Sequence, residues 1–152
     1  MSEEILERSD EDTACTPMDP DLKQAIKAIH PVDGWVHLGT LGPDGGPHVS
    51  PMMMGVSGQH LIFSITGQQK KRNIERDARA CVSLCQPGTM AHVIVWGVME
   101  LQHGPAAQTI WDRLIEEAFG DAALEQYRRT LSPEGTSLGV FTPQRFRIFG
   151  LD

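Results

Sequence analysis

Apolar and polar residues alternate along this chain in short runs that read as strands, with four helical stretches set among them. Leu22, Ala25, Ile26 and Ile29 recur at helical spacing behind Asp19-Pro20-Asp21, an N-cap with proline in the first turn, and Pro31 ends the run. Trp35 to Leu41 reads as a strand, Gly42-Pro43-Asp44-Gly45-Gly46 as a turn, and Pro47 to Gly55 as a second strand, which predicts a hairpin. Ser57-Gly58-Gln59 turns the chain into a third strand, His60 to Thr66, and a short basic helix follows, ending near Asp77. Ala80 to Gln86 and Ala91 to Leu101 are the next strands, broken apart at Pro87-Gly88. Gly97 marks either a bulge or a close backbone approach. Pro105 to Phe119 predicts a helix with Ile110, Trp111, Leu114, Ile115 and Ala118 on its apolar face and Gly120 past its end. Asp121 to Thr130 is a further short helix, and Ser137 to Phe141 and Arg145 to Phe149 predict two closing strands around Thr142-Pro143-Gln144.

Strands arrive first, in hairpins, and most of the helical sequence arrives late. This order predicts a mainly β (α+β) fold, an antiparallel sheet closed into a small barrel with peripheral helices. It argues against a doubly wound dinucleotide fold, and neither G-x-G-x-x-G nor G-x-x-x-x-G-K-[ST] occurs.

The length of 152 residues suits one compact domain. The net charge of −7 is lodged in residues 1–21, where eight acids face only Arg8; beyond them 12 acids balance 12 bases. Residues 1–18 are therefore expected to form an acidic tail, disordered and solubilising or else a lid or dimer arm, ahead of a folded domain at 19–152. No apolar run is long enough to cross a bilayer and no signal-peptide pattern opens the chain, so a soluble, cytoplasmic protein without membrane contact is expected. Of three cysteines, Cys81 and Cys85 fall on one face of a strand, too far apart for a relaxed disulfide, and read as reduced core thiols. No metal-ligand spacing is evident among the Cys and His residues.

Five of the 13 basic residues lie between Lys70 and Arg79. A basic cluster on an otherwise acidic chain suits a small anion better than a nucleic acid. Ser64 and Thr66 end a strand immediately before it, so hydroxyls, backbone N–H groups and the cations Lys70, Lys71 and Arg72 with the amide of Asn73 converge on a helix N-terminus, as a phosphate site requires. The same residues also read as a solvated helix face paired with Glu75 and Asp77. In the second strand Ser50, Met52 and Met54 share one face and Val49, Pro51 and Met53 the other; the methionines suit either a flat aromatic ligand or an ordinary core. His92, at the head of the long strand, reads either as a contact for a cofactor ring or a substrate carbonyl, or as a strand-end residue; His48 and His92 are the candidates for acid–base work. With no nucleophile elbow and no activated cysteine, the economical reading is that a bound cofactor does the chemistry.

Three segments together carry a family resemblance: Leu38 to Pro51 with its G-x-P-x-x-S-P hairpin, Phe63-Ser64-Ile65-Thr66 followed by the K-x-R-N-I-x-x-D-x-R run from Lys70, and Val140 to Phe146. They resemble the flavin-binding split barrels of the pyridoxamine 5′-phosphate oxidase-like superfamily, most closely its deazaflavin (coenzyme F-420)-dependent reductases. The resemblance implies a six-stranded antiparallel split β-barrel acting as a homodimer, with cofactor sites at the subunit interface. It implies that Ser50, Pro51, Met52, Met53 and Met54 run along the cofactor ring, that Ser64, Ile65 and Thr66 meet the ring edge and ribityl chain, and that Lys70, with Lys71, Arg72 and Asn73 nearby, holds the phosphate. Ser50 stands where the oxidases carry a phosphate-binding arginine, Gln68-Gln69 where they carry a serine-arginine pair, and His92 where they carry a glutamine that touches the cofactor. The missing cations favour coenzyme F-420 over FMN. The expected activity is hydride transfer to a small organic substrate; an FMN-dependent oxidoreductase, or a non-enzymatic flavin or haem module, is the alternative.

Overall fold

The computed structural model describes residues 13–14, 18–29, 35–66, 68–130 and 137–151. Among them are the strands β1 (Thr13–Ala14), β2 (Trp35–Leu41), β3 (Pro47–Ser57), β4 (His60–Ile65), β5 (Arg79–Cys85), β6 (His92–Gln102) and β7 (Ser137–Phe149). The helices are α1 (Pro20–Ile29), α2 (Gln68–Arg76), α3 (Pro105–Phe119) and α4 (Asp121–Thr130). Every strand pairing is antiparallel. Strands run in the order β7-β4-β3-β2-β5-β6, and β6 returns to β7, so six strands close a barrel; β1 adds to β7 through Thr13↔Phe146 and Ala14↔Arg145. None of the described helices is long and apolar enough to cross a membrane.

The β2–β3 hairpin forms where the turn chemistry demands it. Gly45 takes a positive φ of 81°, and the Asp44 carboxylate accepts from the Gly46 N–H at 2.9 Å. Period-two alternation then points Val36, Leu38 and Thr40 of β2 and Ala80, Val82 and Leu84 of β5 into the barrel. Phe63 and Phe141 meet edge-on at 6.5 Å inside it. The Asp19 carboxylate caps α1 by accepting from the Asp21 N–H at 2.7 Å, and all four predicted apolar positions of α1 are buried in the same core. A second, smaller core lies outside the barrel, where Ala107, Trp111 and Ile115 of α3 and Leu124 of α4 cover Ile62 and Leu138.

Three expectations need correction. The two closing strands are one strand, Ser137–Phe149. The ladder to β6 shifts between Trp96↔Arg145 and Gly97↔Pro143, leaving Gln144 as the extra residue of a bulge, which is a place where a strand tolerates a proline without an N–H. The cysteines are not core residues: the parity that buries Ala80, Val82 and Leu84 sends Cys81 and Cys85 outward, and neither is disulfide-bonded. Folded contacts also begin upstream of Asp19, through β1 and through Met18, which is buried and whose N–H donates to Gln59 Oε1 at 2.9 Å. Residues 1–12 and 15–17 of the expected tail lie outside the described residues.

Candidate functional site

β3 pairs with β2 from Pro47 to Met53 but with β4 only from Met54 to Ser57. Upstream of Met54 the barrel is split. A cavity of about 250 Å³ occupies the gap between β3, the end of β4 and the first turn of α2. Over this stretch, among the described residues, β3 has a ladder on one side only, an edge position where Pro51 is tolerated. Pro51, Met52 and Met53 contribute one side of the cavity; Ser64, Thr66 and Lys70 contribute the other. Six residues singled out from the sequence thus meet, from three separate elements. Trp35 and Trp111 complete the apolar wall. Trp35 is 51% exposed and stands opposite Met53 in the β2–β3 ladder.

Ser50 and His48 share the face of β3 that carries Met52. Ser50 Oγ and His48 Nδ1 are both shut off from solvent, and neither has a hydrogen-bond partner among the described residues. Two such atoms on adjacent same-face positions are costly unless something else satisfies them.

Other candidates are placed elsewhere. Met54 sits opposite Phe63 where β3 and β4 are joined, and its side chain and that of Ile65 are buried in the core. Asn73 is fully buried. Its carboxamide oxygen accepts from the Thr40 hydroxyl at 3.1 Å, and its nitrogen donates to the carbonyls of Gln69 and Leu41 at 3.2 and 3.3 Å. It ties α2 to β2 rather than holding an anion. The side chains of Gln69, Lys71 and Arg72 do not line the cavity. His92 is separated from Met53 by β2 and β5, about 14 Å along the sheet at three strand spacings. Its ring stacks on Phe149 at 5.1 Å, and its Nδ1 lies 2.9 Å from the Met90 carbonyl.

The basic cluster divides between structure and site. Arg79 grips Asp77 at 2.7 Å, and its hydrogen bonds pull the Asp77 carboxyl down from 3.8 to about 2. Arg76 Nη1 donates to the Leu41 carbonyl at 3.3 Å. Lys70 is the member of the cluster that faces the split.

A second cavity, of about 430 Å³, lies on the outer face of the barrel over β2, β5 and β6. Its walls include Val49, and Val49 and Pro51 are successive outward residues of β3, so the two cavities adjoin along one row. Its farther wall is Trp96 with the Arg145 guanidinium 4.6 Å above the indole. Sequence reading missed this wall, as it missed Trp35 and Trp111. The outward parity of Trp96 is visible in its strand; the parity of Arg145 depends on the bulge at Gln144.

A family model described as pyridoxamine 5′-phosphate oxidase matches residues 22–148. No curated protein sequence matches the chain. Among solved structures, an F420 reductase superposes with a TM-score of 0.61 at 22% identity, covering 79% of this chain and 94% of that one. A conserved hypothetical protein from Mycobacterium tuberculosis gives 0.71 at 21% identity, covering 90% and 88%. A heme binding protein from Mycobacterium smegmatis gives 0.67 at 24% identity, covering 88% of this chain but 55% of that one. At such identities these structures establish a shared fold.

Proposed function

The chain belongs to the pyridoxamine 5′-phosphate oxidase family, and on that premise we propose that it is an oxidoreductase, active as a homodimer, that moves a hydride between coenzyme F-420 and a small organic substrate. The observation that carries this reading is the split itself, where an apolar wall from β2, β3 and α3 stands across from Ser64, Thr66 and Lys70. A phosphate-bearing tricyclic cofactor matches that set of groups: a flat apolar body against Trp35 and Met53, and an anion at the first turn of α2. The unpartnered Ser50 Oγ and His48 Nδ1 fit a ligand that brings its own polar atoms.

The deazaflavin is preferred over FMN because the split is poor in cations. By the resemblance, Ser50 stands where the oxidases carry an arginine and Gln68-Gln69 where they carry a serine-arginine pair, and among the described residues Lys70 is the one cation lining the cavity. When bound, the cofactor supplies the hydride. The chain's own residues anchor its phosphate through Lys70 and Thr66, and the tryptophans and Met53 keep water from the ring. Trp35 and Val49, 51% and 63% exposed on the same outer face, support association with a second copy.

The deciding experiment is a parallel fluorescence titration of the purified protein with coenzyme F-420 and with FMN. Tight, saturable binding of the deazaflavin alone is expected, followed by oxidation of its reduced form when acceptors are supplied. Preference for FMN would favour the flavin-dependent alternative. Binding without turnover of any acceptor would indicate a carrier.

A further inference from the structure

His48 and Ser50 are left unexplained by the packing of the barrel. Their Nδ1 and Oγ atoms are shut off from solvent and have no hydrogen-bond partner among the described residues. The ladders place them. On the inward face of β3, Ser50 lies one and His48 two same-face positions before Met52, which lines the split. Across to β2 they stand opposite Leu38 and Thr40. Helix α2 is tied to Thr40 through Asn73 and reaches the split through Lys70, and β3 runs between those two points. The helix therefore crosses the stretch of β3 that carries His48 and Ser50, and the two orphaned atoms border the polar corner of the split headed by Lys70.

Charge in that corner is single. Among the described residues Lys70 is the one cation lining the split, no acid lines it, and Lys70 enters no ion pair. A hydroxyl, or an imidazole at pH 8, hydrogen-bonds an oxyanion without neutralising it. A phosphomonoester carries about two negative charges at that pH, and a phosphodiester only one. One ammonium balances the diester. The second charge of the monoester would be buried without a counter-charge, which is costly. The geometry points to a phosphodiester-selective site in which His48 Nδ1 and Ser50 Oγ donate to the oxygens of a singly charged phosphate balanced by Lys70. This deepens the function proposed above and rests on its cofactor reading, since the phosphate of coenzyme F-420 is a diester and that of FMN a monoester. It transfers the choice of cofactor from the ring to the phosphate, and gives two residues outside the cavity lining a part in it.

Three ligands that share one ring test this: 8-hydroxy-5-deazariboflavin, its 5′-phosphate, and the methyl ester of that phosphate. Their fluorescence is followed on titration with the full chain at pH 8, for the wild type and for His48→Ala, Ser50→Ala and Ser50→Arg, with the unfolding midpoint of each variant as the check on folding. The methyl ester is expected to bind the wild type about tenfold more tightly than the monoester. His48→Ala and Ser50→Ala should each lower affinity for the methyl ester about fivefold and leave that for the phosphate-free ligand unchanged, which a purely structural role would not do. Ser50→Arg supplies a second cation and should reverse the order in favour of the monoester. Three results would each overturn the inference while the cofactor reading stands: a monoester bound as tightly as its methyl ester, alanine variants that weaken all three ligands alike or none of them, or a preference for the methyl ester that a folded Ser50→Arg protein keeps. Binding of none of the three overturns the cofactor reading, and this inference with it.

Discussion

Replacing Gly97 by alanine probes the seat of the β7 bulge. The new Cβ would run into the Thr142 carbonyl oxygen and would lie 3.0 Å from that carbonyl carbon and 2.8 Å from Phe141 Cζ. Neither obstacle can swing aside. Thr142 is held in the ladder opposite Val98, and Phe141 is completely buried, edge-on to Phe63. Relief requires β7 to move off β6 locally. Overpacking of this kind costs about 1–3 kcal/mol, and each ladder bond stretched or lost adds about 1 kcal/mol. The expected destabilisation is therefore about 2–4 kcal/mol, a large share of the roughly 5–15 kcal/mol that holds a domain of this size together. Gly139→Ala is the control. There the Cβ meets side-chain atoms and no backbone, Ile65 Cγ1 and Met99 Sδ, both at 2.9 Å; the thioether of Met99 can shift more readily than the buried Ile65, and a smaller loss of about 1–2 kcal/mol is expected. Urea unfolding followed by tryptophan fluorescence gives both values, with the slope as the check on two-state behaviour. A Gly97→Ala protein within about 1 kcal/mol of wild type, or no worse than Gly139→Ala, would refute this account of the close approach.

Lys70→Ala should weaken binding of the phosphate-bearing cofactor by about tenfold or more while leaving the urea midpoint near wild type, because a half-exposed lysine contributes little to stability; unchanged affinity would remove Lys70 from the site. Asn73→Leu should cost about 1–3 kcal/mol in the same unfolding assay, since the Thr40 hydroxyl loses its buried partner and the side-chain tie from α2 to the Leu41 carbonyl is removed, and a near-neutral result would contradict its tethering role. Asp77 should titrate near 2 by NMR. Because that folded value lies below the unfolded one of 3.8, the stabilisation by the Arg79 pair is complete above about pH 4 and is lost as pH falls towards 2; Arg79→Gln should return the midpoint towards 3.8, and a midpoint that stays put would assign the shift to another group.

The barrel was legible because its strands keep strict alternation and its turns carry decisive residues. Trp35–Leu41 and Pro105–Phe119 were bounded to the residue, the first by the Gly42–Gly46 turn and the second by Pro105 and Gly120. The closing strand was misjudged at Pro143, because a proline reads as a break unless the bulge beside it is known. The split was partly legible. Ser64, Thr66 and Lys70 could be assembled from one continuous stretch, and Pro51 signalled an edge. Asn73 was misassigned because neighbours in a helical sequence project around the whole axis, so one residue of a basic run faces the core. The walls from Trp35, Trp111 and Arg145 depend on which strand lies beside which, and on a parity reset within β7, and neither is written in local spacing.

One strand holds the barrel shut. β7 pairs with β4 along Ser137 to Phe141, with β6 along nearly its whole length, and with β1 at Arg145 and Phe146. Each of those partners is distant from it in sequence. Until β7 docks, the opposing edges of β4 and β6 present unpaired backbone groups and an open apolar interior, so the preceding strands can form hairpins but not a closed core. Closure is thus a late step of high contact order, and the incompletely closed chain is the species most exposed to edge-to-edge aggregation. Substitutions that delay the docking of β7, even where the finished fold tolerates them, should therefore lower the yield of native protein before they lower its stability.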